Sequence, residues 1–301
     1  MSKPKTPPCF SAKIDVSLKD KLRRDLEDQG FSFTQPAHTI FSAVKKGISC
    51  TLYESGALTV QGKEKDPFIE FYLEPEILQS FTHTHPTAHI DTNPHIGVDE
   101  AGKGDFFGPL CTCALYADEE GIKKLVSMGV KDSKRLSDST VKKLGKQIKS
   151  SFSFSLVRLY PEKYNELYEK FKNLNRLLAW THAAAIEELV EKTKAKRAII
   201  DQFAGEHVME TMLKKKNISI DVEQRHKGEE DVVVAGASII ARMSFLEGLE
   251  KMSENLTIPL PKGASAEVQS TARTIVARFG VEMLDKVCKK HFKTRNEVLN
   301  L

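Results

Sequence analysis

Cysteine is scarce in this chain and has no paired spacing. The 301 residues carry five, an odd count with no CxxC, which argues against both a disulfide framework and a zinc clasp. Cys111 and Cys113 alternate along an apolar, strand-like run and read as reduced structural thiols. Long apolar runs are missing too: no stretch approaches the roughly 18 residues needed to span a bilayer. The opening MSKPKTPPCF lacks the hydrophobic core of a secretory signal. The expectation is a cytoplasmic protein without membrane association. A strong excess of either charge is also absent. Lys and Arg number 45 against 41 Asp and Glu, a net charge of +4, which permits a polyanionic partner without demanding one. An apolar fraction of 40% and a charged fraction of 29% exclude wholesale disorder. The length suits one large α/β domain with a smaller one, or two medium domains.

Residues 1–81 read as a small α+β unit. Ser17 followed by Asp20 resembles a helix N-cap, and Gly30 supplies the stop for KDKLRRDLEDQ. Strand-like runs follow at Thr39 to Val44, Ser49 to Tyr53 and Ala57 to Gln61, with Glu54, Ser55 and Gly56 as a hairpin turn, and PFIEFYL alternates in the same way. The reading is a helix first, then a curled antiparallel sheet. Residues 82–94 lose periodicity and gather Pro, Thr and Asn, as a linker does. His83, His85 and His89 fall there and His95 just after it, but without fixed partners a solvated linker is preferred to a metal site.

From residue 95 to 301, strand-like runs (HIGVDEAG, PLCTCALYA, FSLVRLY, RAIIDQF, ISIDVEQ) alternate with helical patterns such as NELYEKFKNLNRLLAWTHAAAIEELVEKT. This order predicts a mixed sheet covered by helices, with a mostly helical region from Gly236 onward. Two acids interrupt apolar strands: Asp99 in IGVDEAG and Asp201 at the end of RAIIDQF. A carboxylate at the edge of a core is costly to keep ionised unless something cationic neutralises it. Singly, each could be a strand-end Asp capping a loop amide; together they favour a site. Asp99 and Glu100 are adjacent, so in a regular strand they point to opposite faces. They can share a site where the strand ends, and the AGKG that follows offers that break. Carboxylates without His or Cys suit Mg²⁺ or Mn²⁺. Two such ions about 3.5–4 Å apart could clamp the attacking water and leaving oxygen of a phosphodiester. A fourth acid is sought in RHKGEEDVVVAGASII, where Glu229, Glu230 and Asp231 compete before a helix opening at about Ala237.

The run GVDEAGKGDFFGPL (Gly97 to Leu110) resembles the first motif of the ribonuclease HII and HIII family. The resemblance continues in KDSKRLS (Lys131 to Ser137), IIDQF with Asp201, AGASIIAR (Ala235 to Arg242) and HFKT (His291 to Thr294). Three features favour the HIII branch: Lys103 between Gly102 and Gly104, the helix SIIARMSF without an Arg-Asp ending, and an N-terminal region with YESGALTVQG. The last resembles that branch's domain with a fold like the TATA-binding protein. The resemblance implies a ribonuclease H-like core and endonucleolytic cleavage of the RNA strand of RNA/DNA hybrids, leaving 5′-phosphate and 3′-hydroxyl ends. Carried over by position, it makes Asp99, Glu100 and Asp201 metal ligands, with Glu229 as the fourth, allowing one residue fewer between Glu229 and Ser238. It also assigns Gly102, Lys103 and Gly104 to the substrate, whose 2′-hydroxyl separates RNA from DNA. The residue-level alternative for those glycines is a tight strand-to-strand turn.

Lys134 and Arg135 form a basic pair in a polar loop where phosphate could be held, and Lys134 joins the substrate set. Tyr53, Ser55 and Lys63 are the possible N-terminal contacts. A monomer with no obligate protein partner is expected. The alternatives are a ribonuclease HII-type enzyme cutting at single embedded ribonucleotides, and a noncatalytic hybrid-binding protein that kept the fold. Loss of the acids would be the signature of the second, and Asp99, Glu100 and Asp201 are all present.

Overall fold

Apolar residues at every second position bury one face of a strand, and this alternation governs the first part of the chain. The computed structural model describes residues 9–78, 90–130, 133, 136–203 and 205–299. It divides into two compact units, Met1–Ile90 and Asp91–Leu301. Among the described residues the first unit begins with a strand, β1 (Cys9–Lys13), ahead of the helix that the sequence places first. Helix α1 (Lys19–Asp28) follows a 3₁₀ turn at Val16–Leu18; Asp15, not Ser17, is the capping residue, and it caps that turn by accepting the Ser17 amide at 2.9 Å, while α1 itself starts after Leu18 without a side-chain cap. Gly30, at φ 81°, ends the helix as expected.

Strands β2 (Ser32–Thr34), β3 (Thr39–Lys45), β4 (Ile48–Tyr53) and β5 (Ala57–Gly62) complete an antiparallel sheet in the order β1-β5-β4-β3-β2. Leu22 and Leu26 of α1 join Phe41, Leu52, Leu58 and Val60 in its core. PFIEFYL is not a strand. It lies in a short helix, α2 (Lys65–Phe68), continued by a π-helical stretch, Ile69–Leu78. Ile69, Leu73 and Ile77 are buried at a spacing of four, while Phe71, which alternation would bury with Ile69, is 74% exposed.

The second unit carries β6 (His95–Ala101), β7 (Leu110–Ala117), β8 (Phe154–Leu159), β9 (Arg197–Asp201) and β10 (Asp221–Arg225) in the order β10-β9-β6-β7-β8. β7 is antiparallel to both its neighbours, while β9 runs parallel to β6 and β10 parallel to β9. The helices are α3 (Glu119–Ser127), α4 (Asp138–Ser151), α5 (Pro161–Phe171), α6 (Leu174–Thr193), α7 (Glu206–Lys215), α8 (Val232–Leu256), α9 (Ala266–Phe279), α10 (Val281–Val287) and α11 (Lys293–Leu299). The long helical pattern expected from Asn165 onward is therefore two helices. Lys172 turns left-handed at φ 49°, and Asn173 caps α6 by accepting the Arg176 amide at 3.1 Å.

Helix α8 opens at Val232, five residues earlier than expected, because Asp231 accepts the amides of Val233 and Val234 at 2.9 and 3.0 Å. It is 25 residues long and apolar enough to cross a membrane by composition, contrary to the expectation that no stretch approaches that length. It is the core helix of this unit, packed along β6 and β7. Gly97 permits the contact, since a Cβ there would sit 2.3 Å from the Val234 amide nitrogen.

All five cysteines are free thiols. Burial pushes those of Cys50, Cys111 and Cys288 up to about 12 and raises that of Cys113 as well. Cys9 is only half-buried.

Candidate active site

The ladder between β6 and β9 pairs Ile96 with Ala198, Gly97 with Ile199 and Val98 with Ile200, then stops. Asp99 and Asp201 are the next residues on the two strands, so two carboxylates stand where the parallel strands part. Carboxyl ends of parallel strands are the usual place for a ligand in an α/β sheet.

The expected break after Glu100 comes later. β6 stays paired with β7 through Ala101 opposite Cys111, and Gly102 then turns at φ 88°. Asp99 and Glu100 consequently do point to opposite faces. Asp99 meets Ser238 of α8, and Glu100 meets His182 of α6. Both still border one cavity of about 450 Å³, shared with Asp201, Gly102, Lys103 and Gly104, because the sheet opens between β6 and β9 at this level.

Asp99 is 7% exposed. Burial first, and then the neighbouring charge of Glu100, holds its carboxyl well above the usual carboxylate range; the Ser238 hydroxyl and the Glu100 amide, 2.7 Å from Oδ1, offset part of this. Burial acts on Glu100 as well, but there it is outweighed. His182 Nε2 lies 3.0 Å from Oε2 and Lys103 Nζ 3.0 Å from Oε1, so Glu100 is held below its ordinary value. Asp201 Oδ1 accepts the Gly228 amide at 2.7 Å.

That bond joins the 3₁₀ turn Gly228–Glu230 to the end of β9. Glu229 stands half-buried in the turn, next to the residue that touches Asp201, yet it is not among the side chains lining the cavity. Its two rivals are placed differently. Asp231 caps α8 and lies 3.1 Å from His95 Nε2, and Glu230 is exposed beside Lys227. His95 is no linker residue: it opens β6, fully buried, with Nδ1 2.6 Å from the Asn93 carbonyl. His83, His85 and His89, with Lys134 and Arg135, lie outside the described residues. In the first unit, Tyr53 ends β4, Ser55 sits in the hairpin turn and Lys63 is exposed just after β5.

The glycines differ in why they are glycine. A Cβ at Gly102 would lie 2.2 Å from the Pro109 carbonyl oxygen, so that position serves the fold. Gly104 is exposed, has no atom of the described residues beyond its chain neighbours within 4 Å of such a Cβ, and does not occupy the left-handed region.

Three residues in or behind the cavity carry little signal in the sequence. His182 does not line the cavity but stands behind Glu100; it is fully buried, its Nδ1 has no hydrogen-bond partner among the described residues, and its ring lies 4.7 Å from that of Phe203. Its signal is a polar residue on the apolar face of LLAWTHAAAIEE. Arg242 and Lys262 line the cavity itself. Arg242 donates to the Ser133 carbonyl and lies 2.7 Å from Asp138, which Lys262 reaches at 2.6 Å. Arg242 ends the AGASIIAR motif, but Lys262 comes from a loop with no local signature.

The model of the family described as Ribonuclease HII matches residues 96–295, the sheet and helices that build this cavity. The unit thus falls in the ribonuclease H class. The chain is similar over nearly its whole length to the Ribonuclease HIII of Protochlamydia amoebophila (strain UWE25), with 52% identity covering 97% of each. It is 50% identical to that of Chlamydia felis (strain Fe/C-56), over 96% of this chain and 97% of the relative. Among solved structures it resembles Bst-RNase HIII in complex with Mn²⁺, with a TM-score of 0.68 and 30% identity over 97% of this chain and 98% of that one. The chain belongs to the ribonuclease HIII family.

Proposed function

We propose that the chain is an endonuclease that hydrolyses the RNA strand of RNA/DNA hybrids with divalent-metal catalysis, in the cavity bordered by Asp99, Glu100 and Asp201. The observation that carries this reading is the meeting of three carboxylates at the point where β6 and β9 part, beside the Gly102–Gly104 loop.

The donor set fits a hard divalent cation, since it is oxygen-only and includes a buried carboxylate destabilised by its acidic neighbours. Among the described residues no three His, Cys, Asp or Glu side chains form a ready-made metal cage. Glu100 is turned to His182 and Lys103, so to hold a cation its Oε1 would exchange the Lys103 ammonium for it. Asp99, Glu100 and Asp201, with Glu229 as the fourth ligand, would hold Mg²⁺ or Mn²⁺. Bound there, such ions polarise a phosphate and lower the pKa of water.

Water would attack phosphorus, the P–O3′ bond would break, and a proton would pass to the departing 3′ oxygen, leaving 5′-phosphate and 3′-hydroxyl ends. The chain's own groups position the substrate. The backbone at Gly102 and Gly104 can approach a ribose 2′-hydroxyl, the feature by which RNA is told from DNA. Lys103, Arg242 and Lys262 set positive charge along the wall a phosphate backbone would follow. Lys134 is assigned to the same backbone.

The test is cleavage of a long hybrid and of a duplex with one embedded ribonucleotide, each in Mg²⁺ and in Mn²⁺. The hybrid should be cut and the single-ribonucleotide duplex cut poorly. Asp99→Asn and Asp201→Asn should lower hybrid cleavage by at least about a thousandfold, the scale on which catalytic electrostatics is lost, while both remain folded. Near wild-type cleavage by either variant would refute the assignment.

A further inference from the structure

Lys289 is a lysine in a run of charge, VCKKHFKT, yet it is fully buried. Its ammonium meets backbone oxygens, not a carboxylate: the carbonyls of Asp105 and Gly108 accept at 2.8 Å each, and that of Phe107 lies at 3.5 Å. The ring of Tyr164 closes the site from another side, with its centroid 5.7 Å away. Burial brings the amine down to about 8. An ammonium so placed is costly to hold, and a lysine supplies three donors at one point, which no other side chain does.

The three carbonyls belong to the segment that follows Gly104 directly. Carbonyl dipoles turned toward a common point repel one another, and a buried donor is what lets them stay there. The C-terminal chain ties the segment down around that point. The Lys289 amide donates to the Phe106 carbonyl at 2.9 Å, the Gly108 amide to Val287 at 3.3 Å, and Phe107 bridges to Cys288. From the other side, Gly263 donates to Asp105 Oδ1 at 2.6 Å and accepts from the Phe106 amide at 2.9 Å. At its start, the loop turns at Gly102, with φ 88°. Residues 102–108 thus form a tightly curved loop whose shape depends on a side chain more than 180 residues away in sequence.

We infer that Lys289 is a positioning residue: it gathers the carbonyls of Asp105, Phe107 and Gly108 and thereby fixes where the backbone of Gly102–Gly104 presents itself to the ribose. This rests on the reading that Gly102–Gly104 meets the 2′-hydroxyl. It also gives the HFKT end of the chain a purpose, since Phe292 packs its ring 6.0 Å from Phe106 and His291 stacks 4.6 Å from Tyr168.

The experiment uses the full chain with Lys289→Met, which keeps length and removes the donors. Lys289→Gln, which keeps an amide donor, is the second variant should the first fail to fold. Three quantities are read in folded protein: KM and kcat on a long hybrid, the ratio of hybrid to all-DNA duplex binding in Ca²⁺, and amide exchange at Phe106 and Gly108. KM should rise at least about tenfold, on the scale that misplacement of a positioning group produces. The hybrid preference should fall by a similar factor and exchange should quicken at least about tenfold, with the metal half-saturation unchanged. A variant that melts earlier but keeps wild-type KM, preference and exchange would overturn the proposal and leave Lys289 as a structural staple. Were Asp99→Asn to cut like wild type, or the wild type to show no hybrid preference, the site reading would fail instead. Amide exchange would then still decide whether Lys289 fixes the loop.

Discussion

Replacing Gly104 with alanine separates a glycine that the fold requires from one that a ligand would require. Among the described residues no heavy atom beyond the two chain neighbours lies within 4 Å of the added methyl, and the backbone is outside the left-handed region. The folded state should therefore accept it, and the loss of unfolded-state freedom should stabilise by about 0.4–1 kcal/mol. For a unit of this size that corresponds to a melting temperature higher by about 1–4 °C. Gly102→Ala is the control. Its methyl meets the Pro109 carbonyl oxygen at 2.2 Å in a backbone with φ 88°, so it should destabilise by about 1–3 kcal/mol. A ribose hydroxyl bonded to the backbone at Gly104 leaves little room for the methyl. Losing one such bond is worth about 0.5–1.5 kcal/mol, and the clash adds to it, so KM on a long hybrid should rise about tenfold. The assay pairs a thermal melt with steady-state cleavage, and with binding of an all-DNA duplex in Ca²⁺, which should hardly change. A stable Gly104→Ala with hybrid KM within about twofold of wild type would refute the argument that this glycine exists for close approach of the substrate.

His182→Ala removes the group holding Glu100 Oε2; the half-saturating Mn²⁺ concentration should rise about 10–100-fold, read both in activity and in Mn²⁺-induced thermal shift, and an unchanged value would mean that Lys103 suffices. Gly97→Ala puts a methyl 2.3 Å from the Val234 amide nitrogen, forcing α8 off β6 at a cost of about 3 kcal/mol or more, so the melting temperature should drop by roughly 6–12 °C; a drop under about 2 °C would show that the helix yields freely. Burial would raise Asp91, but Arg197, at 2.5 Å, and Asn93 outweigh it and hold the carboxyl at about 2, down from 3.8. Its contribution, about 2 kcal/mol, is full above pH 3.8 and lost as pH falls through about 2. The urea-unfolding gap between wild type and Arg197→Met should accordingly narrow between pH 4 and pH 2, and a constant gap would contradict the pairing.

The sequence made most strands legible because alternation is a local property: β3, β4 and β5 lie within a residue or so of the runs read for them. PFIEFYL misled because Phe, Ile, Phe and Leu fall at positions that serve either period, and only the tertiary burial of Ile69, Leu73 and Ile77 chooses between them. β1 was too short and mixed to stand out, and it forms because β5 offers it an edge. At the site, Asp99 and Asp201 are visible as acids in apolar strands, and Glu100 as the neighbour of Asp99. Their reason for convergence is not, since the parting of β6 from β9 is a relation between segments about 100 residues apart. Buried His182 and Lys289 had no such signal. A polar residue in a helix or a lysine in a basic run looks solvated until a distant segment closes over it.

The distribution of thiols gives this chain a handle for spectroscopy. Four of the five sulfurs are buried and correspondingly reluctant to ionise, so a maleimide offered near neutral pH meets chiefly Cys9. Cys9 begins β1, an edge strand of the N-terminal sheet, and among the described residues its sulfur hydrogen-bonds the side chain of Gln61 and the Phe10 carbonyl. A fluorophore placed there, in the unmutated protein, would report by energy transfer to a labelled hybrid how near the small unit comes to the duplex while the acidic cavity is engaged.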